Sequence, residues 1–141
     1  MTTIERQNSV LNWVNVFSRN LEDLPRFYAE VFGFTEIDYM RNSVFRGFST
    51  GGSALGFLAP DVYSILELED YSSTSGAGFL LNFETESSER VHELVETAVA
   101  AGARVVKQPY ETSYGWYQSV LMDPEENVFR INHILSDRTV T

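Results

Sequence analysis

The segment DPEENVFRINHI, residues 123–134, holds the side chain that most needs a chemical explanation. A strand there puts Val128, Arg130 and Asn132 on one face and Phe129 and Ile131 on the other. The second face is ordinary core. The first sets a guanidinium in mid-strand, and a buried cation is stable only when paired. Two partners are open. Glu84 or another nearby carboxylate would close an internal ion pair; otherwise an anionic group on a ligand would take the charge.

Other segments add polar and aromatic groups to the same side. WVNVF, residues 13–17, sends Trp13, Asn15 and Phe17 inward, and LLNFE, residues 80–84, sends Leu80, Asn82 and Glu84. With Arg130 and Asn132 they make an apolar, aromatic lining with a few amides and one cation. That composition suits a pocket for a small organic molecule. YETSYGWYQS, residues 110–119, brings Tyr110, Tyr114, Trp116 and Tyr117 near the mouth, where rings can stack on a planar ligand. Tyr39 and Arg41 approach from the first half. The bland reading stands beside this: aromatics at such spacing also build ordinary core, and Trp13 would plug the cavity. The two histidines, His92 and His133, read as surface or boundary residues, with His133 facing away from Arg130. An enzymatic reading would draw acid and base from Glu84, Tyr114 and His133, with no motif to rank them.

The elements that must carry these residues read twice. VLNWVNVF (10–17) alternates as a strand. Asn20 then caps a helix, with Glu22 and Asp23 in its first turn, a stripe of Leu21, Leu24, Tyr28 and Val31, and Gly33 at its end. FTEIDYM (34–40), SVFRGFS (43–49) and SALGFLA (53–59) follow as strands. After a linker the order repeats. FLLNFET is a strand, and Ser87 or Ser88 caps a helix with the stripe Val91, Leu94, Val95 and Ala98, closed by Gly102. ARVVKQPY, YGWYQSVLM and NVFRINHI supply three more strands. The expected fold is α+β: one domain over 1–141 built of two βαβββ modules, about 9–59 and 78–134, joined by a linker at 60–77. Together they form a mixed sheet curled around a cavity, with the helices outside.

This paired order, with NVFSRNLEDLPRFYAEVFGF near the start and LMDPEENVFRIN near the end, resembles the vicinal oxygen chelate superfamily of glyoxalase I, bleomycin-resistance proteins and extradiol dioxygenases. The resemblance covers residues 9–134. In the metal enzymes of that group, four inward strand positions carry His or Gln, Glu, His and Glu. The resemblance assigns them here to Trp13, from WVNVFSRNL against the family's HVxLxVxDL; to Gly56; to Leu80; and to Arg130, after the family's DPxGN turn. None offers a metal donor, so neither a metal nor another cofactor is expected. Glutamate stands at Glu126 where the family has glycine. Either the turn type has changed or Asn127 takes the left-handed position. The resemblance also implies a homodimer.

Composition narrows the rest. The 141 residues carry a formal charge of −10 and no cysteine. Such a chain repels phosphate backbones and anionic membranes, which argues against nucleic-acid or membrane partners. Disulfides and thiolate chemistry are ruled out. The apolar runs are too short for a membrane span, and MTTIERQNSV is no secretory signal, so the expected location is the cytoplasm. The expected function is metal-free binding, sequestering or sensing a small aromatic or carboxylate-bearing ligand. The alternatives are a glyoxalase- or dioxygenase-like lyase or isomerase, and a structural or partner-binding module with a filled cavity.

Overall fold

The computed structural model describes residues 11–72, 77 and 79–135. The described residues divide into two compact units, one over residues 11–77 and the other over residues 79–135.

In the first unit, β1 (Trp13–Phe17) leads into α1 (Asp23–Phe32), then β2 (Thr35–Glu36), β3 (Phe45–Ser49) and β4 (Ala54–Leu58). The strands form a mixed sheet in the order β1-β4-β3-β2, with β1 parallel to β4 and the other pairs antiparallel. The Asn20 side-chain oxygen accepts from the backbone N–H groups of Glu22 and Asp23 at 2.8 and 2.9 Å, so it caps the first turn of the helix. Gly33 ends α1 in the left-handed conformation. Leu24, Phe27, Tyr28 and Val31 bury the helix stripe, and the Tyr28 ring lies 5.7 Å from that of Phe57 on β4.

The second unit repeats the plan. β5 (Leu80–Glu84), α3 (Ser88–Ala100), β6 (Arg104–Glu111), β7 (Trp116–Met122) and β8 (Val128–Ile134) form the sheet β5-β8-β7-β6, again with first and last strands parallel. Ser87 caps α3 by accepting from the Arg90 N–H at 3.0 Å. Val91, Leu94, Val95 and Ala98 are buried where α3 packs across β6, β7 and β8. The fold is thus α+β, as expected, with each βαβββ module forming its own four-stranded mixed sheet. Among the described residues no helix is long and apolar enough to cross a membrane.

Three local expectations differ from the structure. FTEIDYM is not one strand: only Thr35–Glu36 pairs with β3, and Asp38–Met40 turns as a single 3-10 coil. The linker contains a short helix, α2 (Val62–Ile65). At the 123–127 turn Glu126 itself adopts φ 69°, and neither change of turn foreseen for it occurs. Asp123 enforces this: its carboxylate accepts from the N–H groups of Glu125 and Asn127 at 2.8 and 3.0 Å, and from the Asn127 amide at 2.9 Å.

A half-buried ion pair ties β2 to β3. Arg46 donates to the two Glu36 oxygens at 3.0 and 2.7 Å, and also to the Leu21 carbonyl at 2.9 Å. The hydrogen bonds from Arg46 outweigh burial, which pushes the other way, and hold the Glu36 carboxyl below its ordinary value of 4.5. A lowered folded pKa stabilises above the unfolded value, and that contribution is lost as pH falls through the folded one. Glu36→Gln is expected to lower stability by about 1–2 kcal/mol at neutral pH, with the gap to wild type closing below about pH 4. Thermal melts across that range check it; a gap that persists in acid would assign the loss to packing.

Candidate functional site

Strand register places the polar groups of the second unit in two rows on the face of its sheet opposite α3. Asn82 on β5, Arg130 on β8, Val120 on β7 and Lys107 on β6 lie directly across from one another. The next row is Glu84, Asn132, Gln118 and Tyr110. The reverse face, with Phe83, Phe129, Ile131 and Leu121, is the one α3 covers.

Arg130 is the centre of the first row. Its Nε donates to the Asn82 side-chain oxygen at 2.6 Å, and its Nη1 lies 3.3 Å from Gln118 Oε1 and 3.4 Å from the Tyr114 hydroxyl. Its guanidinium carbon sits 5.9 Å over the Trp116 ring. Every one of these partners is neutral. Among the described residues no carboxylate lies within 4.0 Å of Arg130, and its Nη2 has no hydrogen-bond acceptor.

Gln118, only 2% exposed, organises the surroundings. Its amide N–H donates to the Tyr110 hydroxyl at 2.9 Å, which turns its oxygen toward Arg130 and the Tyr114 hydroxyl, the latter donating at 3.3 Å. Tyr114 and Trp116 meet edge to face at 5.6 Å. Two buried atoms on this face lack a partner among the described residues: the Trp116 indole N–H and the Asn132 side-chain oxygen. Buried donors and acceptors are almost always satisfied. One orphan of each kind beside a cation is what a polar ligand would complete.

The internal ion pair considered for Arg130 does not form. Glu84 stands opposite Asn132, one row away, and accepts from the Asn132 amide at 2.7 Å and the Ile134 N–H at 3.1 Å. Its other neighbour is His133 at 3.5 Å, whose ring bonds the Thr85 carbonyl. Glu84 and Asn132 therefore fasten β5 to β8 beside the site. Leu80, opposite Val128 at the start of β5, offers only an apolar contact.

Tyr117 also falls elsewhere. It alternates away from Trp116 and Gln118 to the α3 side, where its hydroxyl meets His92 Nε2 at 2.6 Å. Gln118 and Lys107 were not singled out from the sequence. Gln118 is legible by alternation from Trp116. Lys107 is not, because two register shifts interrupt β6 on either side of it.

Trp13 and Asn15 belong to the first unit and bond each other, the indole N–H donating to the Asn15 oxygen at 2.8 Å. The indole lies across two glycines on the neighbouring strands. A Cβ on Gly56 would fall 2.7 Å from Trp13 Nε1, and one on Gly47 3.0 Å from Trp13 Cζ2. Arg41 is occupied by Glu22 and Glu36, each at 3.6 Å, and Tyr39 is 89% exposed.

These side chains do not fit the divalent metal that the resemblance implies. In the first unit an indole covers the backbone at Gly56; in the second, the two positions hold an aliphatic side chain and a hydrogen-bonded guanidinium. Among the described residues no three His, Cys, Asp or Glu side chains gather as a ligand set.

The sequence pattern of the Glyoxalase/Bleomycin resistance protein/Dioxygenase superfamily matches residues 10–131. A glyoxalase/bleomycin resistance protein/dioxygenase family enzyme from Burkholderia phytofirmans PsJN is 50% identical, with a TM-score of 0.88 over 90% of this chain and 100% of its own. Lactoylglutathione lyase from Agrobacterium tumefaciens is 18% identical, with a TM-score of 0.69 over 90% of this chain and 95% of that one. TioX from Micromonospora sp. ML1 is 19% identical, with a TM-score of 0.61 over 90% and 100%. The last two likenesses are of fold alone. No curated protein matches the chain.

Proposed function

The chain belongs to the Glyoxalase/Bleomycin resistance protein/Dioxygenase superfamily, and from that premise we propose that it is a metal-free binding protein for a small carboxylate-bearing molecule, which it sequesters or senses. The observation that carries this reading is Arg130, a cation held in place by neutral acceptors alone. A structural arginine in so acidic a chain has carboxylates to choose from, as Arg46 does. At Arg130 the partners fix the guanidinium plane without neutralising it, so an incoming carboxylate gains charge-assisted hydrogen bonds to a preset donor. Trp116 and Tyr114 supply the apolar edge against which a planar ligand would rest.

The test is calorimetric titration with benzoate and with its uncharged isostere benzamide. Benzoate is expected to bind at least about tenfold more tightly. Equal affinity for acid and amide would remove the charge from the explanation. Elemental analysis of the same preparation checks the metal-free part: stoichiometric zinc, iron, manganese or nickel would overturn it.

One observation favours a second reading, a lyase or isomerase: the half-identical Burkholderia relative is described as an enzyme. On that reading Tyr114, whose hydroxyl lies 3.4 Å from Arg130, is the acid–base group nearest the bound anion. NMR of the benzoate titration, repeated over hours with larger acids, would show product peaks.

A further inference from the structure

We infer that the ligand carries two anionic groups, one seated on Arg130 and the other on Lys107 and the Tyr110 hydroxyl. This rests on the reading that Arg130 holds an anion, and it narrows the ligand class to dicarboxylates and similar dianions.

The argument begins with which cations are left over. The chain has 20 acidic and 10 basic residues, so carboxylates outnumber their partners. Arg26, Arg41, Arg46, Arg90 and Arg104 each reach one or more of them, and Arg19 also has a partner. Lys107 and Arg130 reach none among the described residues. They are not scattered over the surface. Both stand directly opposite Val120, from either side, on one sheet face. Two strand spacings put their backbones about 10 Å apart.

The second seat is shaped as well as charged. β6 shifts register on both sides of Lys107, and such bulges re-aim a side chain. The result lays the Lys107 ammonium 3.8 Å over the centre of the Tyr110 ring. A cation on a ring face keeps N–H groups directed outward. The Tyr110 hydroxyl accepts from Gln118, and its own proton has no acceptor among the described residues. An ammonium and a hydroxyl proton thus converge beside each other. The buried Gln118 amide ties this seat to the first, one end bonded to Tyr110 and the other to Arg130 and Tyr114. A ligand bridging the two would lie along the Val120 side chain.

Terephthalate and its monomethyl ester share a ring and differ by one negative charge. Calorimetry with both, on wild type, Lys107→Met and Lys107→Arg, decides the matter. Terephthalate is expected to bind about tenfold tighter than the monoester to wild type and to Lys107→Arg. In Lys107→Met the ratio should collapse to near one, chiefly through loss of terephthalate affinity. Lys107 is exposed on an edge strand, so the variant has no buried contact to lose. Terephthalate binding no better than the monoester overturns this inference, as does a preference that survives Lys107→Met. Either result leaves the monoester bound through Arg130 and the proposed function standing. Failure of both compounds to bind at millimolar concentration overturns the proposed function and this inference together.

Discussion

Arg130→Met is expected to weaken benzoate binding about a hundredfold, to the level of benzamide, while shifting the melting temperature by no more than about 2 °C. The first number follows from losing one strong charged donor, since a hydrogen bond to a charged group contributes about 1.5–3 kcal/mol. The second follows from what Arg130 touches. Among the described residues no carboxylate depends on it, Gln118 keeps the Tyr114 hydroxyl as donor, and Asn82 lies on an exposed edge strand. Methionine retains most of the aliphatic stem. Arg46 supplies the contrast. Arg46→Met strands the Leu21 carbonyl and leaves Glu36 only the looser Arg41 contact, and is expected to cost about 2–3 kcal/mol, with no effect on ligand. Arg130→Lys should recover only part of the affinity, because an ammonium cannot present the planar fork. If Arg130→Met instead melts early and binds benzoate normally, Arg130 is a structural residue and the proposed site is wrong.

The difference between these two arginines was only half legible in the sequence. The mid-strand position of Arg130 and its face follow from simple alternation, as do Asn82 and Asn132. Its partner does not. Glu84 and Asn82 lie on the same face of the same strand, and one row of register decides which of them meets the guanidinium. Alternation fixes faces but not rows. The helices were read closely because caps and stripes are local: Asn20, Ser87 and the four buried residues of α3 need no tertiary knowledge. β2 is shorter than FTEIDYM because its pairing with β3 ends after Glu36 and the chain turns at Asp38. Lys107 and Tyr110 lie beyond alternation altogether, since a bulge adds a residue that no pattern of period two anticipates.

Gly56→Ala is expected to destabilise the protein by about 2–4 kcal/mol, roughly 10 °C in melting temperature. Gly56 lies on β4, between β1 and β3, with Leu55 and Phe57 buried on either side of it, so its backbone is held firmly. The new methyl would overlap the Asn15 side-chain oxygen and come within 2.7 Å of Trp13 Nε1 and 2.9 Å of Phe45 Cε1. Both rings would have to move, and the Trp13–Asn15 hydrogen bond would break. Overpacking costs about 1–3 kcal/mol and the lost bond about 1 more. Because the nearest atom, the Asn15 side-chain oxygen, is held in place by the Trp13 N–H, Trp13→Ala frees that oxygen to move as well as removing the indole, so it should recover part of the loss in the Gly56→Ala background while destabilising wild type, giving a coupling of at least about 1 kcal/mol. Independent, additive losses would place the clash elsewhere. The same geometry explains why a single reversion cannot rebuild a metal site in the first unit. A glutamate at Gly56 would meet the indole before it met an ion, so Trp13 must change first. The aromatic ring and the bare backbone beneath it are one structural commitment, made together on adjacent strands.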